Sequence, residues 1–308
     1  MSALGQAVDD YLQLRRALGY KLERHGRLLP QFVEFLEQRQ ATVITTELAL
    51  AFATQPADAS AVYWNDRLAV VRGFARYVWA SDPRTEVPSA DLLPAKRRRA
   101  VPYLYSEDEI ERLMEAARGI RSPLRAATYE TLIGLLAVTG MRVSEAIGLD
   151  RGDVELPEGR LTVRRGKNGK SREIALHATT VQALESYARV RDELCPHPQA
   201  PSFLITSAGG RLHRGDVWHG FDWLRRRCGL DRDTLGRQAR LHDLRHVFVL
   251  RTLLSWYRED CDVEAQLPLL STFLGHVDPS STYWYFEGVP QLLALAAERL
   301  ERTRGGQS

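Results

Sequence analysis

Six side chains that could transfer a phosphate group follow one another along the second part of the chain. They are Arg142, Lys167, His242, Arg245, His276 and Tyr285. An arginine guanidinium stays protonated and binds two phosphate oxygens at once, so it can meet the charge that builds up when a phosphodiester is attacked. Lysine and histidine can move protons. A tyrosine phenol, with a usual pKa of about 10, attacks once a base and nearby cations help it to ionise.

Each of these residues stands in a short motif. The motifs are Thr139–Glu145, Gly166–Lys170, His242–His246, Leu274–His276 and, nine residues after His276, Tyr285. Their order and spacing resemble the box pattern of tyrosine recombinases, the phage-integrase type of DNA-cutting and rejoining enzyme. That pattern runs Arg, a hairpin Lys, His-x-x-Arg, Leu-Gly-His and Tyr. The resemblance covers the whole second part of the chain, and five elements in order are far more specific than any one alone.

The resemblance implies a direct role for each residue around one phosphate. Arg142 and Arg245 would bind the scissile phosphate, and His276 would donate a further hydrogen bond to it. Tyr285 would attack and form a 3′-phosphotyrosine. Lys167 would protonate the departing 5′ oxygen from the tip of a hairpin.

The same scheme gives one more catalytic residue and one supporting residue. His242 would help to accept the tyrosine proton and would hydrogen-bond the phosphate, and Glu145 would support the arginines through buried hydrogen bonds. The scheme needs no metal ion or other cofactor. His242 and His246 have the spacing of a zinc-binding pair, but Asp243 stands where the metalloprotease motif has glutamate, so no metal site is predicted. His246 is interpreted as a structural residue.

Some assignments within the site stay open. Tyr283 competes with Tyr285, although it lies two residues short of the spacing from Leu-Gly-His that the family has. Lys170 competes with Lys167, and the basic turn could instead only touch phosphate. Any single histidine or arginine could also be an ordinary core or surface residue, and it is their motif positions that favour catalysis.

Basic residues cluster around the motifs, which predicts double-stranded DNA as the partner. The predicted DNA contacts are Lys96, Arg97, Arg98, Arg99, Arg164, Arg165, Lys170, Arg172 and Arg240. Such runs usually mark a solvated surface. Beside a phosphate-cutting site they more plausibly neutralise DNA phosphates, which makes binding steeply dependent on salt. Contacts of this kind position the duplex, and the bases that are read do not follow from them.

Hydrophobic periodicity predicts a mainly α fold with a small β-hairpin or sheet. Helices fill the first eighty residues, and the hairpin lies at Arg160–Leu176 around Asn168-Gly169, a dipeptide favoured in tight hairpin turns. A basic, proline-containing linker at 94–105 separates a helical domain at 1–93 from a domain at 106–308, which begins with a capping box at Ser106 and Glu109. The resemblance implies a core-binding, SAM-like DNA-binding domain followed by an α+β catalytic domain.

Composition limits the class of protein further. The 308 residues carry a net charge of +3 and only three cysteines, which are far apart and predict neither a disulfide framework nor a zinc knuckle. The amino terminus lacks a signal peptide, and the most apolar stretch, Thr131–Met141, is too short to span a bilayer. These features predict a cytoplasmic, nucleoid-associated protein with no membrane partner.

The predicted function is site-specific recombination or integration for a mobile element. The run Tyr283–Phe286 is similar to that of some transposon-borne integrases, several of which act with sister recombinases. A helix at Pro290–Arg304 would join subunits into a homotetramer on DNA, or would pack on its own domain. Two alternatives remain: a type IB topoisomerase-like nicking and rejoining enzyme, and a catalytically silent accessory DNA-binding protein. The Leu-Gly-His motif disfavours the first, and the six filled positions disfavour the second.

Overall fold

The computed structural model describes residues 2–93, 102–164, 171–232 and 236–275. Contacts divide the chain into two compact units, residues 1–99 and 100–308. The first described range belongs to the first unit, and the other three ranges belong to the second. The predicted linker at 94–105 lies largely outside the described residues, and the domain boundary there stays a prediction. Among the described residues, no helix is long and apolar enough to cross a membrane.

The first unit is a bundle of four helices. They are α1 at Ala3–Ala17, α2 at Glu23–Glu37, α3 at Thr46–Thr54 and α4 at Ala61–Trp79. Ser2, Thr45 and Ser60 cap three of them through side-chain oxygens, as residues of these types do at helix starts. The core between the helices contains Phe32, Phe52 and Phe74, all fully buried.

The second unit is mostly helical with one small sheet. Its helices are α5 at Glu107–Arg118, α6 at Pro123–Thr139, α7 at Val143–Ala146, α8 at Ala178–Leu194, α9 at Arg214–Arg227, α10 at Asp243–Arg258 and α11 at Val263–Leu274. The strands β1 at Val154–Glu155, β2 at Arg160–Val163 and β3 at Arg172–Ala175 form an antiparallel sheet in sequence order. The predicted fold class, mainly α with a small hairpin sheet, is confirmed.

Helix α6 lies at the centre of the second unit. It packs against α5, α8 and α10, and its buried residues lie on more than one side. The predicted capping box is present at the start of α5, where Ser106 and Glu109 bond each other's backbone N–H groups. Because α6 packs against three helices, its carboxyl end is held in place, and the first of the predicted motifs, Thr139–Glu145, begins there.

The hairpin strands alternate between buried and outward-facing residues, as a sheet with one covered face must. Leu161 pairs with Ile174 and both are fully buried, while Val163 pairs with Arg172. Arg172 therefore shares the covered face with Ile174. The predicted turn between β2 and β3, at 165–170, lies outside the described residues.

Candidate active site

Arg142 is held at the start of α7 by the carboxylate of Glu145. Its Nη1 donates to Glu145 Oε1 at 2.7 Å, and its backbone N–H donates to Glu145 Oε2 at 2.9 Å. Its Nη2 donates to the carbonyl oxygen of Gly275 at 3.1 Å. The side chain is 20% exposed, and within the described part of the chain these bonds use two of the five N–H donors of the guanidinium. The remaining donors are of the kind that a phosphate would need.

Arg245 joins three parts of the chain that are far apart in sequence. It lies in the first turn of α10 and is buried. Its Nη1 donates to the carbonyl oxygen of Gly140, where α6 ends, and its Nη2 donates to that of Leu274, where α11 ends, both at 2.8 Å. The motifs that contain Arg142, Arg245 and Leu274-Gly275 therefore meet at one place.

Two of these helix ends depend on glycine. Gly140 and Gly275 both adopt the left-handed conformation, with φ of +59° and +66°. A Cβ on Gly140 would lie 2.4 Å from the ring of Phe248, and one on Gly275 would lie 2.8 Å from Nη1 of Arg172. A side chain at either position would displace the neighbour that it meets, and at Gly275 that neighbour is Arg172, a partner of Glu145.

Arg172 lies inside the protein rather than on a DNA-facing surface. Its side chain is 10% exposed, and it donates from Nη1 and Nη2 to the two oxygens of Glu145 at 3.1 Å and 2.8 Å. Its Nε donates to the carbonyl oxygen of Phe273 at 2.7 Å. This position differs from the DNA contact that the sequence predicts, because the guanidinium is already bonded to protein along two of its edges.

Glu145 is a buried carboxylate between two guanidinium groups. Burial alone would raise its pKa, but the hydrogen bonds and positive charge of Arg172 and Arg142 outweigh burial and lower the pKa to about 2. Glu145 is therefore ionised at any physiological pH. It neutralises part of the charge that would otherwise hold the two arginines apart.

His242 directly precedes α10 as its N-terminal capping residue. Its side chain is exposed, and its ring meets that of His246 edge to face with centroids 5.3 Å apart. Although the residue is exposed on one side, the surrounding protein partly desolvates the His242 ring; this desolvation, with the positive charges of Arg245 and Arg142, lowers its pKa below the usual value. A neutral imidazole of this kind can accept a proton. Among the described residues, no group of three or more acidic, histidine or cysteine side chains could hold a metal ion.

Two of the predicted DNA contacts lie on the surface, and each is paired with an aspartate. Arg240 is 51% exposed and donates to both oxygens of Asp243, which is fully buried. Arg164 is 66% exposed and is ion-paired with Asp153. Both side chains can reach an external phosphate, and their contact with DNA stays a prediction.

Several predicted site residues lie outside the described residues. They are Lys96, Arg97, Arg98, Arg99, Arg165, Lys167, Lys170, His276 and Tyr285. The described site ends at Gly275, directly before His276 in the chain. Two features do not emerge from the sequence reasoning. One is the close approach of the Gly275 backbone to Arg172, and the other is the buried position of Arg172 beside Glu145. For Arg172 the signal was available, because strand alternation places it on the same face as Ile174.

Comparison with known proteins fits this fold and this set of residues. The model of the phage integrase family matches residues 104–290. A relative from Sinorhizobium fredii (strain NBRC 101917 / NGR234), named as integrase/recombinase y4rB, is 46% identical over 308 residues, with 98% of each chain covered. Tyrosine recombinase XerD of Oceanobacillus iheyensis is 25% identical over 294 residues, which cover 92% of this chain and 93% of the relative.

Solved structures share the fold. The integrase of transposon Tn1549 in complex with transposon right-end DNA aligns with a TM-score of 0.67 at 17% identity, over 96% of this chain and 99% of that one. A lambda integrase tetramer bound to a Holliday junction aligns with a TM-score of 0.62 at 20% identity, over 92% and 76%. The chain belongs to the phage integrase family. It is a tyrosine recombinase, an enzyme that transfers DNA strands.

Proposed function

We propose that the chain is a site-specific DNA recombinase or integrase in which Tyr285 becomes covalently joined to a 3′ phosphate. One observation carries the proposal: Arg245 bonds the ends of both α6 and α11, at Gly140 and Leu274. This bonding brings Arg142 close to the residue before His276. The two arginines proposed to bind phosphate are thus fixed beside Gly275, the last described residue of the Leu274–His276 motif, and fixed cationic donors are what stabilisation of a charged transition state requires.

The proposed reaction exchanges one phosphodiester for another. The phenolic oxygen of Tyr285 attacks the scissile phosphorus as the bond to the 5′ oxygen breaks. The phenolic proton passes to His242, and Lys167 supplies a proton to the departing 5′ oxygen. A 5′ hydroxyl of a second strand then attacks the phosphotyrosine and restores the phenol. The number of phosphoester bonds stays constant, so ATP is not required.

The arginines bind the phosphate in this scheme. Arg142 offers its remaining N–H groups to the non-bridging oxygens, and Arg245, which bonds the adjacent carbonyl at Leu274, adds a second positive charge. Guanidinium groups suit this task because they keep their charge throughout the reaction. The lowered pKa of His242 favours its neutral form, as a proton acceptor needs.

A mobile element is the proposed setting. The aromatic run Tyr283–Phe286 supports it, as does the presence of two relatives in one strain of Sinorhizobium fredii, both named integrase/recombinase, at 46% and 39% identity. A set of related recombinases in one genome fits an element whose enzymes act together. The predicted site of action is nucleoid DNA.

A homotetramer on DNA is the proposed active assembly. A groove of about 540 Å³ on α5, α6 and α8 is lined mostly by apolar side chains, of which Val138 and Val190 are 50% and 36% exposed. Three acidic residues, Glu107, Glu111 and Glu130, and one basic residue, Arg251, which is paired with Glu107, also line the groove, so its charged edge is acidic on balance. The segment Pro290–Arg304 has leucines and a basic end, so it suits an apolar groove with acidic edges. We assign this groove as the docking site for that segment from a neighbouring subunit.

The test begins with the unknown DNA site. A pool of random-sequence nicked duplexes is incubated with the full chain, and fragments that stay attached to protein in denaturant are sequenced. We expect an enriched sequence, called here the selected site. Tyr285→Phe should form no adduct on it, whereas Tyr283→Phe, the matched change two residues away, should still form one. Loss of the adduct in Tyr283→Phe alone would move the nucleophile to Tyr283.

The same DNA separates the alternatives. Two duplexes with the selected site and different flanks should exchange flanks if the chain is a recombinase. A nicking and rejoining enzyme would form the adduct and relax supercoils without exchange. An accessory DNA-binding protein would bind the site with no adduct, and this result would remove the proposed function.

A further inference from the structure

Arg172 contacts both groups that hold the guanidinium of Arg142 within the described ranges. Those two groups, which accept bonds from that guanidinium, are Glu145 and the carbonyl of Gly275. Arg172 bonds Glu145 directly and bonds Phe273, two residues before Gly275. We propose that Arg172 is a positioning residue that fixes Arg142 for phosphate binding, an inference that rests on the proposed function.

The bonding at Glu145 explains how one arginine can orient another. Each carboxylate oxygen takes one bond from each arginine: Oε1 from the two Nη1 atoms, and Oε2 from Arg172 Nη2 and the Arg142 backbone. Arg172 is the only one of the two whose guanidinium spans both oxygens. A two-point contact fixes the plane of the carboxylate, and this plane sets the direction of the bond to Arg142 Nη1.

The second anchor acts on the other partner of Arg142. The Arg172 guanidinium bonds Phe273 through Nε and lies against Gly275, where an added Cβ would come within 2.8 Å of its Nη1. It therefore fixes the backbone at 273–275, whose last carbonyl receives Nη2 of Arg142. Arg172 thus contacts both partners of the Arg142 guanidinium, while Arg245 adds a further anchor to the same backbone at Leu274.

A lysine could keep the charge at this position but not the geometry. Its ammonium is a single point and cannot span two carboxylate oxygens while also bonding a carbonyl from a separate nitrogen. Arg172→Lys should therefore leave Glu145 ionised and paired, yet free to turn. A misplacement of about 1 Å in a reacting group can cost on the order of 100-fold in rate.

The test measures the single-turnover rate at which the full chain forms the covalent adduct. It compares two duplexes that carry the selected site and differ only in the scissile linkage. One duplex has an ordinary scissile phosphate. The other has a methylphosphonate there, in which a methyl group replaces a non-bridging oxygen and removes the negative charge that Arg142 would neutralise. We expect Arg172→Lys to form the phosphate adduct about tenfold to 100-fold more slowly. On methylphosphonate the loss should be much smaller, so the ratio of the two rates should fall about tenfold or more relative to wild type.

This ratio distinguishes positioning from loss of folded protein, because fewer active molecules lower both rates by the same factor. A second measure is the pair Arg142→Lys and Arg142→Lys/Arg172→Lys, which should react equally slowly if Arg172 acts through Arg142. The matched control is Arg160→Lys in the neighbouring strand, where the side chain is 39% exposed and paired with Glu155 and Glu173. It should keep the wild-type rates.

The outcomes separate this inference from the proposed function. If wild type forms no adduct on the phosphate duplex, the proposed function fails. The positioning role is wrong if wild type reacts and Arg172→Lys forms adducts at the same rates. It is also wrong if Arg172→Lys slows adduct formation on the phosphate and methylphosphonate duplexes by the same factor. If wild type cannot use methylphosphonate at all, the double variant decides: a further loss beyond Arg142→Lys contradicts the inference, and no further loss supports it.

Discussion

Arg142 and Arg245 bind the carbonyl oxygens of adjacent residues. Nη2 of Arg142 donates to Gly275 at 3.1 Å, and Nη2 of Arg245 donates to Leu274 at 2.8 Å. The two arginines lie at the starts of different helices, yet the carbonyls of two consecutive peptide groups hold both in place. Donors that are fixed before substrate arrives need no reorganisation during the reaction, and this is the main way that proteins stabilise a developing charge.

Arg245→Lys should impair both stability and catalysis. One ammonium cannot reach the carbonyls of Gly140 and Leu274 with separate nitrogens, and a buried carbonyl left without a partner costs about 1–3 kcal/mol. The urea midpoint should fall accordingly. Adduct formation on the selected site should slow by about 100-fold to 1000-fold, as when one charge-stabilising donor is lost. Arg258→Lys, at the exposed end of the same helix, should change neither quantity.

Gly140→Ala should lower the free energy of unfolding more than Gly229→Ala does. Both glycines have positive φ, at +59° and +68°, so both alanines carry backbone strain of about 1–2 kcal/mol. Only the Cβ at position 140 meets a neighbour, the Phe248 ring at 2.4 Å, whereas nothing lies within 4 Å at 229. Overpacking should add about 1–3 kcal/mol at Gly140. Equal urea midpoints for the two variants would contradict the close contact.

The parts of the fold that could be predicted from sequence are those set by interactions between residues close together in the chain. The capping box at Ser106 and the paired strands of the hairpin follow from short-range patterns, and both are present. The meeting of three motifs at Arg245 could be expected only by resemblance. The bonds that produce it join residues more than a hundred positions apart in one case, and no local periodicity encodes such a contact.

The DNA contact that the sequence predicts for Arg172 rests on charge, because Arg172 stands among neighbouring basic residues. Strand alternation gives a different answer: Ile174 is fully buried, so the residue two before it shares the covered face. The buried partner that makes an inward arginine tolerable is Glu145, in a different motif, and a sequence alone does not pair the two.

Glu145→Gln should destabilise the protein at neutral pH and much less in acid. The folded-state pKa of Glu145 is lowered to about 2 from an ordinary value near 4.5, so its ionised form stabilises the fold above about pH 5. That stability is lost as pH falls from about 5 towards 2. A shift of this size corresponds to on the order of 3 kcal/mol. Urea unfolding of both proteins at pH 7 and pH 3 checks this, and a constant difference would contradict the shift.

Arg164→Ala should weaken DNA binding in a salt-dependent way. The side chain is 66% exposed at the end of β2, so it can contact a backbone phosphate despite its pairing with Asp153. Loss of one phosphate contact lowers the slope of log K against log salt by about 0.9. Binding to the selected site at several salt concentrations measures this slope. Arg160→Ala, on the same strand, should keep the wild-type slope, and an unchanged slope in Arg164→Ala would remove the contact.

Val138→Arg should block tetramer assembly, while each subunit should still form the covalent adduct with nicked DNA. Val138 is 50% exposed and lines the groove assigned to the carboxyl-terminal segment of a neighbour, so a charged side chain there would disfavour an apolar guest. Light scattering on the selected site should give a tetramer for wild type and smaller species for the variant, with the adduct on nicked DNA retained. Leu194→Arg, an equally exposed change on α8 outside the groove lining, should still form tetramers. Tetramers of Val138→Arg would show that subunits join elsewhere.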